Sequence, residues 1–420
     1  MDGIGVREPE MIDPTQSADV QAGGERAPVA APLAVLVSCA LLVLMQLYLA
    51  IPLAPVMGQA LGGSGTAAAA ALGTAYALAY GMGFLIFGPL SDRYGRKVIL
   101  VPGMAALAIA TAGLAAASSL PVVGVLRIVQ GLLAASFAAV ALAYVGEALP
   151  PRWRSTGIGA ISTAFLVAGI LGQVYAQAVG QALGWRWVFG LAAPAFAICA
   201  FAIATVLLEP ARGGPPASLA QKYRELAALA VRRELALVYA ACFPVLLSFV
   251  AMYAALGPLV QTRFGLDDSD VLLVRLAALP VMLLAPLAGW LVGRHGPTRV
   301  AVAGYLLAAA GLAAEAISVA ALWALVVASV VFVAGIAVIV PAVIALVGGR
   351  AGSARAGALG LTGLMVFTGA SCGQLAAELP LGFTALMLVF AALLVAAAAL
   401  IRQSVSPWRT ARTATGRRTG

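Results

Sequence analysis

Gly88-Pro89-Leu90-Ser91-Asp92-Arg93-Tyr94-Gly95-Arg96-Lys97 closes one long apolar run, 66–90, and opens the next, 98–117. Runs of this length can each cross a hydrocarbon layer as a helix, which takes about 20 residues, and the charged stretch between them must then stay at the surface. The same alternation continues in both directions. Apolar runs fall at 32–54, 66–90, 98–117, 121–145, 156–179 and 187–208, and after a polar stretch six more follow at 236–259, 271–293, 299–317, 321–347, 357–377 and 381–401. The 420 residues are 63% hydrophobic and 10% charged, with a mean hydropathy of +1.03. A soluble globule carries about 25% charged residues, so a water-soluble fold is excluded. The runs are continuous instead of alternating at period two, which excludes a transmembrane β-barrel. The predicted fold is an all-α polytopic membrane protein of twelve transmembrane helices.

The net charge of +9 would point to nucleic acid on a soluble domain, but the placement of the charges explains it differently. With the N-terminus in the cytoplasm, 21 of the 25 Lys and Arg residues fall in the tails and loops of that side. By the positive-inside rule both termini are then cytoplasmic, and an even number of spans follows. Residues 1–30 are polar, hold six of the sixteen acids and lack a basic start before a short apolar core. No cleavable signal peptide is therefore expected, and the first run serves as an uncleaved anchor. The predicted organisation is a cytoplasmic tail (1–30), an N-terminal six-helix half (31–208), a cytoplasmic linker (209–235), a C-terminal six-helix half (236–401) and a basic cytoplasmic tail (402–420). A short amphipathic helix is expected within 212–233, with no chemistry assigned to it. Only two of the basic residues are Lys. With so much Ala and Gly, that bias suggests a GC-rich bacterial genome and hence a bacterial inner membrane. Four scattered cysteines, all inside apolar runs, and a single histidine, His295, make neither a disulfide framework nor a metal site. No metal and no cofactor are expected.

An internal repeat runs at a constant offset of 201 residues: Gly88, Leu90, Arg93 and Gly95 recur as Gly289, Leu291, Arg294 and Gly296. Arg154 and Gly159 recur as Arg355 and Gly360, and Gly172-Gln173 as Gly373-Gln374. One offset across separated loops and spans implies two halves of parallel topology, with substrate bound near mid-membrane between them.

The stretch from Gly88 to Lys97, in the loop between the second and third of twelve spans, strongly resembles the loop signature of the major facilitator superfamily, and the resemblance in layout covers residues 32–401. Gly88 and Gly95 permit close helix approach and a tight turn. Asp92 is placed to face the amino end of span 11, whose partial positive charge favours a carboxylate. Arg93, Arg96 and Lys97 form a cationic cluster, with Glu147 at the inner end of span 4 as a partner for Arg96. The resemblance implies that Gly88, Asp92, Arg93, Gly95, Arg96, Lys97 and Glu147 form a conformational latch between the halves. Three cations alone would satisfy the positive-inside rule, but that explains neither Asp92 nor the glycines. The second copy has Gly293 in place of Asp92, so its latch is expected to be weak or absent.

Leu126-Arg127-Ile128-Val129-Gln130-Gly131 resembles the family's fourth-span motif, whose Arg is associated with proton coupling. Arg127 lies roughly 10 Å into its span at 1.5 Å per residue, and a cation at that depth is by default functional, although a long side chain can also snorkel to the headgroups. Arg275, nearer the outer end of its span, is expected to snorkel. The fifth-span signature of drug antiporters expects a Gly-Pro pair, where this chain has Gly169-Ile170; the small residues survive and the proline does not. Gly184-Trp185-Arg186-Trp187-Val188-Phe189 reads as an interfacial aromatic anchor. Gln46, Tyr76, Tyr80, Gln173, Ser248, Tyr253 and Gln374 are the substrate-cavity candidates, because buried amides and hydroxyls facing lipid would lack partners; helix–helix hydrogen bonding is the alternative for each. No acid falls at mid-span: Glu315 and Glu378 are placed at outer ends and Asp92 and Glu147 at inner ones. A cavity for lipophilic cations wants a buried carboxylate, so neutral or anionic substrates are expected.

These features together predict a secondary active transporter working by rocker-switch alternating access. The resemblance points to proton-antiport efflux of a neutral or anionic drug, sugar or metabolite, with small molecules, protons and the lipid bilayer as partners, no nucleic acid, and a monomeric state. A proton-coupled importer of a small metabolite is the alternative. A membrane enzyme is not expected, since no Walker loop, GxSxG, HExxH or paired intramembrane acids occur, and a channel would need symmetric pore-lining elements.

Overall fold

A computed structural model describes residues 29–210, 218–283, 285–351 and 355–405. The N-terminal tail to residue 28, the start of the linker and the C-terminal tail beyond residue 405, with Arg409, Arg412, Arg417 and Arg418, lie outside the described residues. Among the described residues all regular structure is helical. In hydrocarbon every backbone N–H and C=O must be satisfied within its own segment, and a helix does so without neighbours.

Span 1 is Ala30–Tyr48 continued by Ala50–Ala60. Span 2 is Gly65–Ala69, a π-turn Ala70–Thr74 and Ala75–Tyr94. Spans 3 to 6 are Arg96–Ala115, Leu120–Ala148, Pro151–Leu183 and Trp185–Val206. The linker forms the helix Leu219–Val231, whose amino end is capped by Ser218 accepting from the Gln221 N–H at 3.2 Å. Span 7 is Arg233–Phe264. Span 8 is broken into Asp268–Leu276, Leu279–Leu283 and Ala285–His295. Spans 9 to 12 are Pro297–Ile317, Leu322–Ala351, Arg355–Ala377 and Phe383–Gln403. Eleven of these are long and apolar enough to cross a membrane, and twelve when Asp268–Leu283 and Leu287–His295, bent by 45° to one another, count as one span. Pro280 sits in the first turn of Leu279–Leu283, where a proline lacks the N–H that would continue the preceding helical ladder. Spans 5 and 7 run several residues past their apolar stretches, because helical hydrogen bonding continues into the polar boundary.

The pairing of helices repeats with the sequence. Spans 1 and 5, 2 and 4, 3 and 4, and 3 and 6 pack together, and so do 7 and 11, 8 and 10, 9 and 10, and 9 and 12. Contacts between the two sets run chiefly through spans 2 and 11 and through spans 5 and 8, which exchange under the same twofold relation. Lipid tails are as apolar as leucine, so helices associate through close packing at small residues instead of through hydrophobic driving force. The repeated glycines do this work. A Cβ on Gly172 would lie 2.7 Å from the Met45 carbonyl oxygen of span 1, and one on Gly373 would lie 2.6 Å from Val250 Cβ of span 7. Gly373→Val should therefore force spans 7 and 11 apart and cost about 1–3 kcal/mol as overpacking, read as a lower temperature for labelling of the buried thiols Cys39 and Cys199; unchanged labelling would show that the contact yields freely.

Candidate functional site

A cavity of about 470 Å³ opens between the two sets of six helices. Its walls come mostly from spans 1, 2, 4, 5, 7, 10 and 11 and are largely aliphatic and aromatic, including Tyr48, Tyr80, Phe84, Phe165, Phe249 and Phe367. Tyr80 meets Phe367 edge-on at 4.4 Å between ring centroids, and Phe84 stacks on Phe367 at 5.7 Å, so spans 2 and 11 build one aromatic wall. Tyr48 meets Phe249 edge-on at 5.5 Å across spans 1 and 7. The charged residues lining the cavity are Asp92, Arg96, Glu147 and Arg355, all at its Arg-rich end. Such a chamber suits a small apolar molecule held by shape and ring contacts.

At that end the backbone of Gly95 adopts φ 111°, a conformation open to glycine without strain; its repeat partner Gly296 has φ 82°. The turn delivers Arg96 to the first turn of span 3, where it is a hub. Its guanidinium donates to Glu147 at 3.0 and 2.6 Å, to Ser91 Oγ at 2.6 Å, and pairs with Asp92 at 2.6 Å. Glu209, beyond span 6, accepts from the backbone N–H groups of Arg96 and Lys97 at 2.6 and 2.8 Å, where an acid complements the helix amino end. The second Asp92 oxygen lies 3.4 Å from Lys222 of the linker helix.

Asp92 shares a small crevice with Ala356 and Gly357 at the start of span 11, and its carboxylate is engaged by Arg96 and Lys222. Gly88 makes no close helix approach: a Cβ there would meet nothing within 4 Å, because the residue borders the open cavity. Arg93 is stacked over Tyr94 at 5.5 Å.

Arg127 is fully buried. Its guanidinium donates to the Leu72 carbonyl at 2.7 Å, the Gln46 carbonyl at 2.8 Å and Gln130 Oε1 at 2.6 Å, and sits 4.1 Å over the Tyr76 ring. Leu72 belongs to the π-turn of span 2, where the wider turn re-aims carbonyls away from the regular ladder. Gln130 in turn donates to Gln46 Oε1 at 3.2 Å and to Thr111 at 2.9 Å. Arg127 is thus enclosed among spans 1, 2 and 4 and does not line the cavity; its depth reflects a polar cluster inside one helical half, and snorkelling to the surface does not occur.

Of the seven cavity candidates only Tyr80 lines the chamber. Gln46 and Tyr76 belong to the Arg127 cluster, Tyr76 also donating to the Val43 carbonyl at 3.2 Å. Gln173 donates back to Gly169 at 2.7 Å and Ser248 to Pro244 at 2.7 Å. Tyr253 is buried against Phe249, and Gln374 reaches over Gly73. The reason is that the helices converge beyond the chamber and bury these polar groups in the convergence. There Thr74 donates to the Ser371 carbonyl at 2.6 Å. Gln177 donates to the Asp268 carbonyl and accepts from Arg275. Arg275 does not snorkel to the surface; it is buried at 6% exposure and joins span 5 to span 8. Glu315 lies in the last turn of span 9, at the span end where the sequence puts it, and is fully buried there. The wall residues Phe84, Phe249 and Phe367 went unpredicted. One signal was available: Phe84 continues the Tyr76–Tyr80 face at i+4 spacing.

Comparison with known proteins places this architecture. The family model described as Major Facilitator Superfamily matches residues 36–279. A chloramphenicol resistance protein of Pseudomonas aeruginosa is 36% identical over 146 residues, 34% of this chain and 34% of its own. The inner membrane transport protein YnfM of Escherichia coli is 26% identical over 276 residues, 62% of this chain and 63% of its own. The chain thus spans less than two-thirds of the length of these relatives. The crystal structure of the human organic anion transporter MFSD10 aligns over 90% of this chain and all of that one, with a TM-score of 0.68 and 18% identity, a likeness of fold.

Proposed function

The chain belongs to the major facilitator superfamily, a family of multi-pass membrane transporters, and from that premise we propose that it exports a small neutral lipophilic compound from the bacterial cytoplasm by proton antiport. The observation that carries the substrate class is the cavity wall. Its charged residues are confined to one end, and the deeper surface is aromatic and aliphatic. Arg127, the cation that would favour an anion, is held away from that surface by Leu72, Gln46 and Gln130, so the neutral half of the sequence expectation is retained and the anionic half is dropped. The export direction rests on the similarity of about a third of the chain to a protein named for chloramphenicol resistance. On this reading both termini and the Arg-rich loops face the cytoplasm, the cavity opens inward, and the convergence of spans 2 with 11 and 5 with 8 seals the outside. The chain acts as a monomer, since the cavity is complete within one copy. The two six-helix units, 31–208 and 236–401, rock about the cavity, and the Asp92–Arg96–Glu147 cluster, bonded within the N-terminal unit, moves with that unit as the inner face closes.

Expression in a bacterium stripped of its own efflux pumps tests this directly. Resistance to chloramphenicol and other neutral antibiotics, without resistance to lipophilic cations, is the expected result. Greater sensitivity to a metabolite analogue would overturn export in favour of uptake. Within the same assay Phe367→Ala should remove the ring that joins Tyr80 and Phe84. Losing about 0.5–1.5 kcal/mol per aromatic contact, it should raise the half-saturating substrate concentration severalfold with little effect on the amount of protein in the membrane.

A further inference from the structure

Glu315 is the one fully buried carboxylate among the described residues. Neither of its oxygens has a hydrogen-bond partner, and among the described residues no cation pairs with it. Burial without a paired cation costs an ionised carboxylate far more than the neutral acid, and the Ser329 side chain of span 10 only partly offsets that cost. Its surroundings on each packed element are specific. From span 10 comes Ser329, whose hydroxyl proton is already given to the Leu325 carbonyl at 3.0 Å. From span 7 comes Tyr253, itself buried with an unpartnered hydroxyl and within electrostatic reach of both Glu315 and Arg275. The charged residues of spans 10 and 12, Arg350 and Arg402, sit at the opposite ends of those helices. Arg299 is likewise at the other end of span 9, and Glu378 approaches Gly65 of span 2 instead. A polar row therefore runs from Gln177 on span 5, through Arg275 on span 8 and Tyr253 on span 7, to Glu315 on span 9.

We infer that Glu315 is a proton-binding site whose occupancy controls the seal between spans 5 and 8. The inference rests on the reading of the chain as a proton-coupled carrier, and deepens it by naming the acid. In the sealed form Gln177 holds Arg275 and Glu315 carries a proton. When the outer face opens, Gln177 leaves with its half, water reaches the row, and Arg275 is free to offset a negative charge at Glu315. The carboxylate takes a proton from a hydronium ion on that side, one O–H bond of the hydronium breaking to leave water as the carboxyl O–H forms, and the seal closes over the neutral acid.

The test needs no transported ligand. Spin labels at Leu183→Cys and Ser269→Cys, in a background lacking the four native cysteines, report the distance between the outer ends of spans 5 and 8 in lipid nanodiscs across a pH series. The wild-type background should gain a long-distance, open population as pH rises. Glu315→Gln, a permanent mimic of the protonated acid, should lose that response and stay sealed at every pH, while Glu315→Asp should keep it with a displaced midpoint. A pH response unchanged in Glu315→Gln, or no response in the wild-type background, overturns the assignment. Chloramphenicol flux in proteoliposomes under an imposed proton gradient separates the two ideas. A seal that responds to pH through Glu315 in a protein whose flux ignores the gradient would reject proton-driven export and leave the Glu315 site standing.

Discussion

Arg127→Met is expected to destabilise the folded protein by at least about 3 kcal/mol, since three buried acceptors are stranded at about 1–3 kcal/mol each. The Leu72 and Gln46 carbonyls and Gln130 Oε1 all take their hydrogen bonds from this one guanidinium, and Met fills the volume without supplying a donor. Spans 1, 2 and 4 meet at this cluster, so its loss loosens the N-terminal half as a unit. Arg127→Lys should fall between, because an ammonium is a single point donor and cannot serve three acceptors set in a fork. It also stacks less well on Tyr76, which lies 4.1 Å from the guanidinium. Heating each variant in detergent with a thiol-reactive dye reads the result. Cys39 and Cys199 are buried away from the cavity and report unfolding, and the cavity-lining Cys242 and the exposed Cys372 are replaced by serine to clear the baseline. Labelling of Arg127→Met at the wild-type temperature would show that the cluster contributes nothing to holding these helices.

Asp92→Asn should reduce transport by about tenfold to a hundredfold while the protein still accumulates in the membrane. The substitution keeps the shape and removes the charge that joins Arg96 at 2.6 Å and Lys222 at 3.4 Å. Losing a charged partner of this kind costs about 1–3 kcal/mol, and every 1.4 kcal/mol is a factor of about ten in the balance between two conformations. The pair matters to conformation because of what it connects. Arg96 belongs to span 3 and binds Glu147 of span 4, while Lys222 belongs to a linker helix whose Leu226 and Leu229 pack on Gly357 of span 11. Asp92 thus stands between the two halves at the end where the cavity opens. Lys222→Ala removes only the more exposed pair, worth about 0–1 kcal/mol, and should slow transport by less than about fivefold. Initial rates of transport of a compound to which the expressed protein gives resistance, normalised to protein in the membrane, give both values. Equal losses in the two variants would place the effect in the linker and not in the Arg96 hub.

The aromatic wall illustrates how a site can be half legible. Tyr76 and Tyr80 stood out because they are polar and one turn apart, yet only Tyr80 reaches the chamber. Phe249 and Phe367, equally prominent in the wall, look in sequence like any apolar residue of a span. Gln173 and Gln374 were singled out by their repetition, and the repeat is real in the packing. Each follows a glycine that brings span 5 against span 1 or span 11 against span 7. Their side chains nevertheless lie in the helix convergence, because periodicity specifies which face of a helix is buried but not the depth at which neighbouring helices close over it. The burial of Arg275 escapes the sequence for a related reason. Distance along a span measures depth in the bilayer, and it carries no information on whether a neighbouring helix covers that end.

What the amino-acid order determined by itself is the class and plan of the molecule: long apolar runs that only helices can satisfy in hydrocarbon, a charged loop of distinctive pattern between spans 2 and 3, and a 201-residue repeat that doubles the packing scheme. These are one-dimensional properties, fixed by run length, charge placement and spacing. Tertiary structure decided what lies beside what: that Asp92 binds Arg96 and Lys222, that Arg127 is locked inside one half by two carbonyls and an amide, and that Glu315 is sealed away without a partner. Those facts depend on the rotation and tilt of each helix against its neighbours. Close packing at small residues sets that geometry through contacts far apart in the chain, and no local pattern encodes it.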